Sequence, residues 1–185
     1  MLGHTQVIDM SEVVLITGGA RSGKSRHALE VAGRRERGRV YIATAEPFDD
    51  DMRSRIREHR LERGDSFETV EAPLDLTGAL GSIPGNTEVA VVDCLTVWLG
   101  NLMHHRGEDE DSFPEVSAFL KTLDRPPCDL VLVTNEVGMG MIPESRLARW
   151  FRDSLGRLNQ EVARRADRVV LMASGLPIAI KGEER

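Results

Sequence analysis

The chain has only two cysteines in 185 residues, too few for a disulfide framework. Cys94 and Cys128 lie in or beside apolar runs, which predicts buried, reduced thiols. It lacks any apolar run of about 18 residues, so no membrane span is expected. It also lacks a positive excess: 24 Lys and Arg against 30 Asp and Glu leave a formal net charge of −6 and a pI near 5.4. That balance argues against nucleic-acid binding in general, which favours basic faces, yet it permits a small anionic substrate held by locally arranged charge. Met1 to Ser11 lack the basic-then-apolar pattern of a signal segment, so a cytoplasmic, soluble protein is expected. Repeats, low-complexity segments and linkers are missing too. With 41% hydrophobic residues, the expected organisation is one domain over residues 13–185 behind a short extension, residues 1–12.

What the chain does have is a phosphate-binding loop. Gly18, Gly19, Ala20, Arg21, Ser22, Gly23, Lys24 and Ser25 fit G-x-x-x-x-G-K-[ST] at every fixed position. The apolar run Val13 to Ile16 before it reads as a buried strand, and Arg26 to Ala32 after it reads as the opening of a helix. Backbone N–H groups around small residues wrap a polyphosphate, and the helix N-terminus adds a favourable dipole. In such loops the lysine, here Lys24, reaches the β- and γ-phosphates, and the hydroxyl, here Ser25, holds Mg²⁺.

Strand and helix signals alternate along the rest of the chain. Strands are predicted over Val13–Thr17, Val40–Thr44, Phe67–Glu71, Glu88–Asp93, Asp129–Thr134 and Arg168–Ala173, with an edge over Ile178–Lys181. Helices are predicted over Asp49–Arg63, Leu95–His105, Pro114–Leu123 and Glu144–Ala166, the last with Leu147, Trp150, Phe151, Leu155, Leu158 and Val162 as its apolar stripe. Gly107 to Ser112 reads as a solvated acidic loop. The pattern implies an α/β fold, a mostly parallel sheet with helices on both faces. Ligands of such sheets bind beyond the carboxyl ends of the strands, where Gly18, Thr44, Asp93 and Thr134 all fall.

Two further residues carry chemistry. Asp93 closes an apolar strand, as the second, metal-side acid does in phosphate-loop enzymes; the plainer reading is a strand-end acid capping the next helix. His59 shares a helix face with Met52 and Ile56, with Arg53, Arg57 and Arg60 to one side. On spacing alone this is a hydrogen-bonded core histidine. As a nucleophile toward phosphorus it must be neutral, and neighbouring positive charge favours that form. The guanine-reading Asn-Lys-x-Asp motif of small GTPases is absent. Thr134-Asn135-Glu136-Val137-Gly138 stands at a strand end without it.

Taken in order, four segments resemble one family. Gly18 to His27, Tyr41 to Ala45 with the following Arg55 to Arg60, Thr134 to Gly140, and Pro143 to Arg149 with Arg152-Asp153 and Gly156 to Gln160 are similar to the bifunctional adenosylcobinamide kinase/adenosylcobinamide-phosphate guanylyltransferases. The similarity runs from Val13 to Lys181. It implies a RecA-like fold, a homotrimer and two reactions. ATP or GTP phosphorylates the aminopropanol hydroxyl of adenosylcobinamide. GTP then donates GMP to adenosylcobinamide phosphate through a GMP–histidine intermediate, with His59 at the matching position. The resemblance further implies nucleotide contacts from Gly18 to Ser25, from Ala43, Thr44 and Ala45, from Arg60, Leu61, Glu62 and Arg63, and from Glu71 and Asp93. Relatives often carry glutamate where this chain has Asp93. Two other functions share such a loop: a different small-molecule kinase in which His59 only packs, and a RecA-type nucleotide-binding assembly module. The acidic balance counts against the second.

Overall fold

In the computed structural model, residues 11–48, 50–107 and 113–183 are described, apart from the side chains of residues 51, 55, 59, 62 and 63. Seven strands form one sheet: β1 (Val13–Gly18), β2 (Arg39–Ala43), β3 (Glu68–Glu71), β4 (Val89–Asp93), β5 (Asp129–Val133), β6 (Arg168–Ala173) and β7 (Leu176–Lys181). Their order across the sheet is β3-β2-β4-β5-β1-β6-β7. All neighbours are parallel except β6 and β7, which form an antiparallel edge hairpin. The apolar runs of β1, β4 and β5 are the ones that a parallel sheet, covered on both faces, requires.

Side-chain alternation divides the core in two. Val13, Leu15, Ile42, Val92 and Leu132 face helices α3 (Leu76–Ser82), α4 (Leu95–Arg106), α5 (Pro114–Thr122) and α6 (Arg146–Arg165). Val14, Ile16, Tyr41, Val91, Val133 and Val170 face the other way, against Ala28 and Ala32 of α1 (Lys24–Ala32). On the larger side Trp98 and Phe119 are fully buried edge to face, 5.2 Å between centroids, and the indole Nε1 donates to Leu74 O at 2.8 Å. Such a pair adds about 1 kcal/mol beyond its buried area.

Several expectations are corrected. The helix over Leu76–Ser82 was not expected, because Gly78 and Gly81 lower its propensity. The Asp75 carboxylate caps it, accepting Gly78 N–H at 2.7 Å, and Leu76, Ala79 and Leu80 bury one face. The long helix begins at Arg146 rather than Glu144, where Ser145 Oγ accepts Ala148 N–H, and Leu147 at its start is exposed rather than part of the stripe. Thr44 and Thr134 lie just past their strands, and β7 begins at Leu176. Helix α2 spans Asp50–Arg63; the expected start, Asp49, falls outside the described residues, as does most of the acidic loop.

Candidate active site

The phosphate loop leaves the buried end of β1 and turns into α1 at Lys24. Two of its glycines are dictated by geometry. A Cβ on Gly18, at φ +149, would stand 2.5 Å from Met172 O, and Gly23 adopts φ +91 at the helix N-cap. Neighbouring elements brace the loop by its carbonyls. Gly18 O accepts Glu136 N–H at 3.0 Å, and Ser22 O accepts Gly175 N–H from the β6–β7 hairpin at 3.1 Å. Occupied carbonyls suit a loop that offers its amides to an anion.

Lys24 is 8% exposed, and its ammonium donates to Gly19 O. Burial lowers its pKa from 10.5, while Cys94 and Asp93 pull it partly back up. The loop lysine thus lies close enough to the β4 acid to feel its charge. Asp93 is half-buried, and its Oδ2 accepts the Tyr41 hydroxyl at 2.9 Å from the adjacent strand. Cys94 follows it, free, with burial and the Asp93 charge pushing its thiol up to about 12. Cys128 is likewise free and buried, raised to about 11 chiefly by burial. Cys128 is buried as expected, whereas Cys94 is only half-buried; both are free, and their raised pKa values make them poor nucleophiles. Ser25 and Asp93, the residues expected to hold Mg²⁺, offer oxygen donors of the kind that ion takes, and one Asp93 oxygen is already oriented by Tyr41. Among the described residues there is no cluster of three or more His, Cys, Asp or Glu of the kind that holds a metal unaided.

The segment after β2 is pinned rather than open. Thr44 is fully buried, and its hydroxyl accepts Cys94 N–H at 2.8 Å and donates to Cys94 O at 2.9 Å. Asn101 of α4 donates to Thr44 O at 2.7 Å and to Pro73 O at 3.1 Å, stitching the ends of β2 and β3 to the helix behind them. Ala43 O accepts Ala72 N–H. Ala45 is half-buried beside them.

Of the α2 residues, Met52 and Ile56 are half-buried while Arg53, Arg57 and Arg60 are exposed, the division expected from their spacing. Arg60 forms an ion pair with Glu71 at the end of β3, which brings together two residues expected at the nucleotide. Leu61 is 83% exposed. The side chains of His59, Glu62 and Arg63 fall outside the described residues, although the backbone of all three is helical.

Tyr41 and Asn101 were not foreseen as site residues. Each had a signal: a lone phenol in the strand Arg-Val-Tyr-Ile-Ala, and a lone amide in the apolar helix Leu-Thr-Val-Trp-Leu-Gly-Asn-Leu-Met. A third arrangement lies beyond β5. Thr134 Oγ1 donates to Asn159 Oδ1 at 2.8 Å, Asn159 Nδ2 donates to Asn135 O at 3.0 Å, and Asn135 N–H donates to Thr96 Oγ1 at 2.7 Å. This network ties β5 to α4 and α6 between the phosphate loop and Asp93.

A family model described as cobinamide kinase / cobinamide phosphate guanyltransferase matches residues 14–180. The bifunctional adenosylcobalamin biosynthesis protein CobU of Escherichia coli is 41% identical over 181 residues, covering 91% of this chain and 99% of that protein. CobP of Pseudomonas aeruginosa, a bifunctional adenosylcobalamin biosynthesis protein, is 42% identical over 170 residues, covering 91% and 97%. Among solved structures, a prototypical ATPase from the type III secretion system of pathogenic bacteria is similar at TM-score 0.54 and 12% identity, over 92% of this chain and 57% of that one. A protein of Pyrococcus horikoshii OT3 gives TM-score 0.52 and 8% identity, over 94% and 87%. At these identities the structural neighbours speak to the fold alone, an α/β fold with a mostly parallel sheet and a phosphate loop. Matches of this length and identity on the sequence side leave one assignment: the chain belongs to the cobinamide kinase / cobinamide phosphate guanyltransferase family.

Proposed function

We propose that this chain phosphorylates adenosylcobinamide and then guanylylates the product, both at the rim that carries Gly18 to Ser25. The observation that carries this reading is the phosphate loop at the carboxyl end of β1, with the buried Lys24 folded onto Gly19 and Ser22, within a chain of this family. In the first reaction the aminopropanol hydroxyl attacks the γ-phosphorus of ATP or GTP. The new O–P bond forms as the bond to the nucleoside diphosphate breaks, and the hydroxyl proton is released. In the second, a neutral nitrogen of His59 attacks the α-phosphorus of GTP and pyrophosphate leaves. An oxygen of adenosylcobinamide phosphate then displaces the histidine, giving adenosylcobinamide-GDP.

One loop serves both reactions if it holds the β- and γ-groups each time. It stabilises charge on the transferred group in the first and on departing pyrophosphate in the second. Lys24 and the loop amides thus act throughout, and His59 only in the second, where it splits the transfer into two displacements. Mg²⁺, when bound, neutralises phosphate charge, and Ser25 and Asp93 are the residues to hold it. Tyr41 orients Asp93 for that task. Ala43, Thr44, Ala45, the Arg60–Glu71 pair and the Leu61 to Arg63 turn border the nucleotide. A homotrimer is supported by the edge strand β7, whose Leu176, Ile178 and Ile180 are all exposed. Among the described residues no helix is long and apolar enough to cross a membrane, and two free thiols suit a cytoplasmic setting.

The test is to incubate the protein with cobinamide and GTP, and separately with α-labelled GTP alone. Phosphorylated and guanylylated cobinamide are expected, together with an acid-labile protein–GMP adduct. His59→Ala should abolish the adduct and the second reaction while sparing the first. Undiminished labelling of that variant would overturn the role given to His59.

A further inference from the structure

Past β5 the chain places Val137, Met139, Met141 and Ile142 in the open, with exposures of 37, 81, 94 and 74%. Both ends of this segment are fastened. At its root, Glu136 N–H donates to Gly18 O at 3.0 Å, and the Glu136 carboxylate turns back to accept Gly138 N–H at 2.7 Å. Asn135 is held between Thr96 and Asn159. At the far end, the Arg149 guanidinium donates to Pro143 O at 2.9 Å and to Glu144 O at 2.6 Å. A segment anchored this firmly on polar contacts, yet presenting apolar side chains that add nothing to either core, is built to meet something outside the chain.

We propose that residues 137–142 are the docking surface for the macrocycle of the acceptor, a corrin ring with apolar faces and an amide-bearing rim. The inference rests on the kinase reading above. The root of the segment is hydrogen-bonded to the first residue of the phosphate loop, so the segment leaves the sheet beside the loop that cradles the phosphates. A phosphoryl acceptor must be seated there with its hydroxyl in line and bulk water kept away. The reacting hydroxyl is a small part of a large acceptor, so binding energy has to come from the remote macrocycle. Methionine suits that contact, because its unbranched, polarisable side chain moulds to an irregular apolar face and accepts an aromatic or conjugated edge. The fastened ends keep the ordering cost of docking low.

The experiment compares wild type with the Met139→Gln, Met141→Gln double variant and with Ile142→Thr. All three positions are exposed, so folding should be unaffected. The KM for cobinamide should rise about tenfold or more in the double variant, the loss expected when contact with two apolar side chains is removed. ATP affinity by titration and the oligomeric state by light scattering should stay at wild-type values. An unchanged cobinamide KM overturns the proposal, and so does a change of oligomeric state, which would assign the segment to contact with a second copy. If wild type does not phosphorylate cobinamide at all, the kinase reading itself fails, an outcome separate from either of these.

Discussion

The Tyr41 hydroxyl donates to Asp93 Oδ2 at 2.9 Å, although Tyr41 is in register with Val91. The bond is possible because Val91 and Asp93, two residues apart on β4, share the face toward which Tyr41 points. A phenol from one strand thus fixes the carboxylate at the end of the next.

Tyr41→Phe keeps the ring and its edge-to-face contact with Phe67 but removes the bond to Asp93. The fold should lose about 1 kcal/mol. The kinase step should slow by about tenfold, with a higher Mg²⁺ concentration needed for half-maximal rate. Steady-state rates over a Mg²⁺ titration check this, and a variant indistinguishable from wild type would show that Asp93 needs no orientation.

Lys24 is buried beside the loop it serves, and burial lowers its pKa from 10.5. Because the unfolded chain holds that proton more tightly, the unfolded state binds more protons between the lowered value and 10.5. Stability from this residue therefore rises with pH across that alkaline window. Lys24→Met should flatten this rise when denaturation midpoints are compared with wild type over the same pH series. Turnover in both reactions should fall about 100-fold or more, since the positive charge at the transferred phosphate is gone.

Asn101 is 3% exposed, and both of its amide hydrogens are used, on Thr44 O and Pro73 O. Asn101→Leu preserves bulk but leaves the buried Thr44 carbonyl, and the half-buried Pro73 carbonyl, without their donor. Urea denaturation should show a loss of about 2–4 kcal/mol with unchanged slope. Nucleotide affinity should weaken as well, because the turn after β2 loses its anchor.

The phosphate loop was legible because its signal is local: eight consecutive residues between a strand and a helix carry nearly all of its geometry. The sheet was legible for a related reason, since strands buried on both faces must be written as unbroken apolar runs. Where the chain hides its intentions, the determinant is distant. Leu76–Ser82 folds as a helix despite two glycines, because Asp75 caps it and the Trp98 side of the core takes up Leu76 and Leu80. Leu147 fits a helical stripe by spacing yet is exposed, because the first turn of α6 lies beyond the packed layer. Tyr41, Asn101 and the Thr96–Thr134–Asn159 network act between segments 25 to 57 residues apart, distances that no window of the sequence spans.

By itself the amino-acid sequence determined the family, the α/β architecture and the identity of the phosphate loop, because each is encoded by consecutive or periodic residues. Only the tertiary structure decided which side chains steady the chemistry. The strand order brings β2, β4, β5 and β1 side by side, so that Tyr41 reaches Asp93, Asp93 influences Lys24, and Glu136 grips Gly18. Those partners converge because a parallel sheet gathers the ends of segments distant in sequence along one rim, and hydrogen bonds and charges act only across such short spaces.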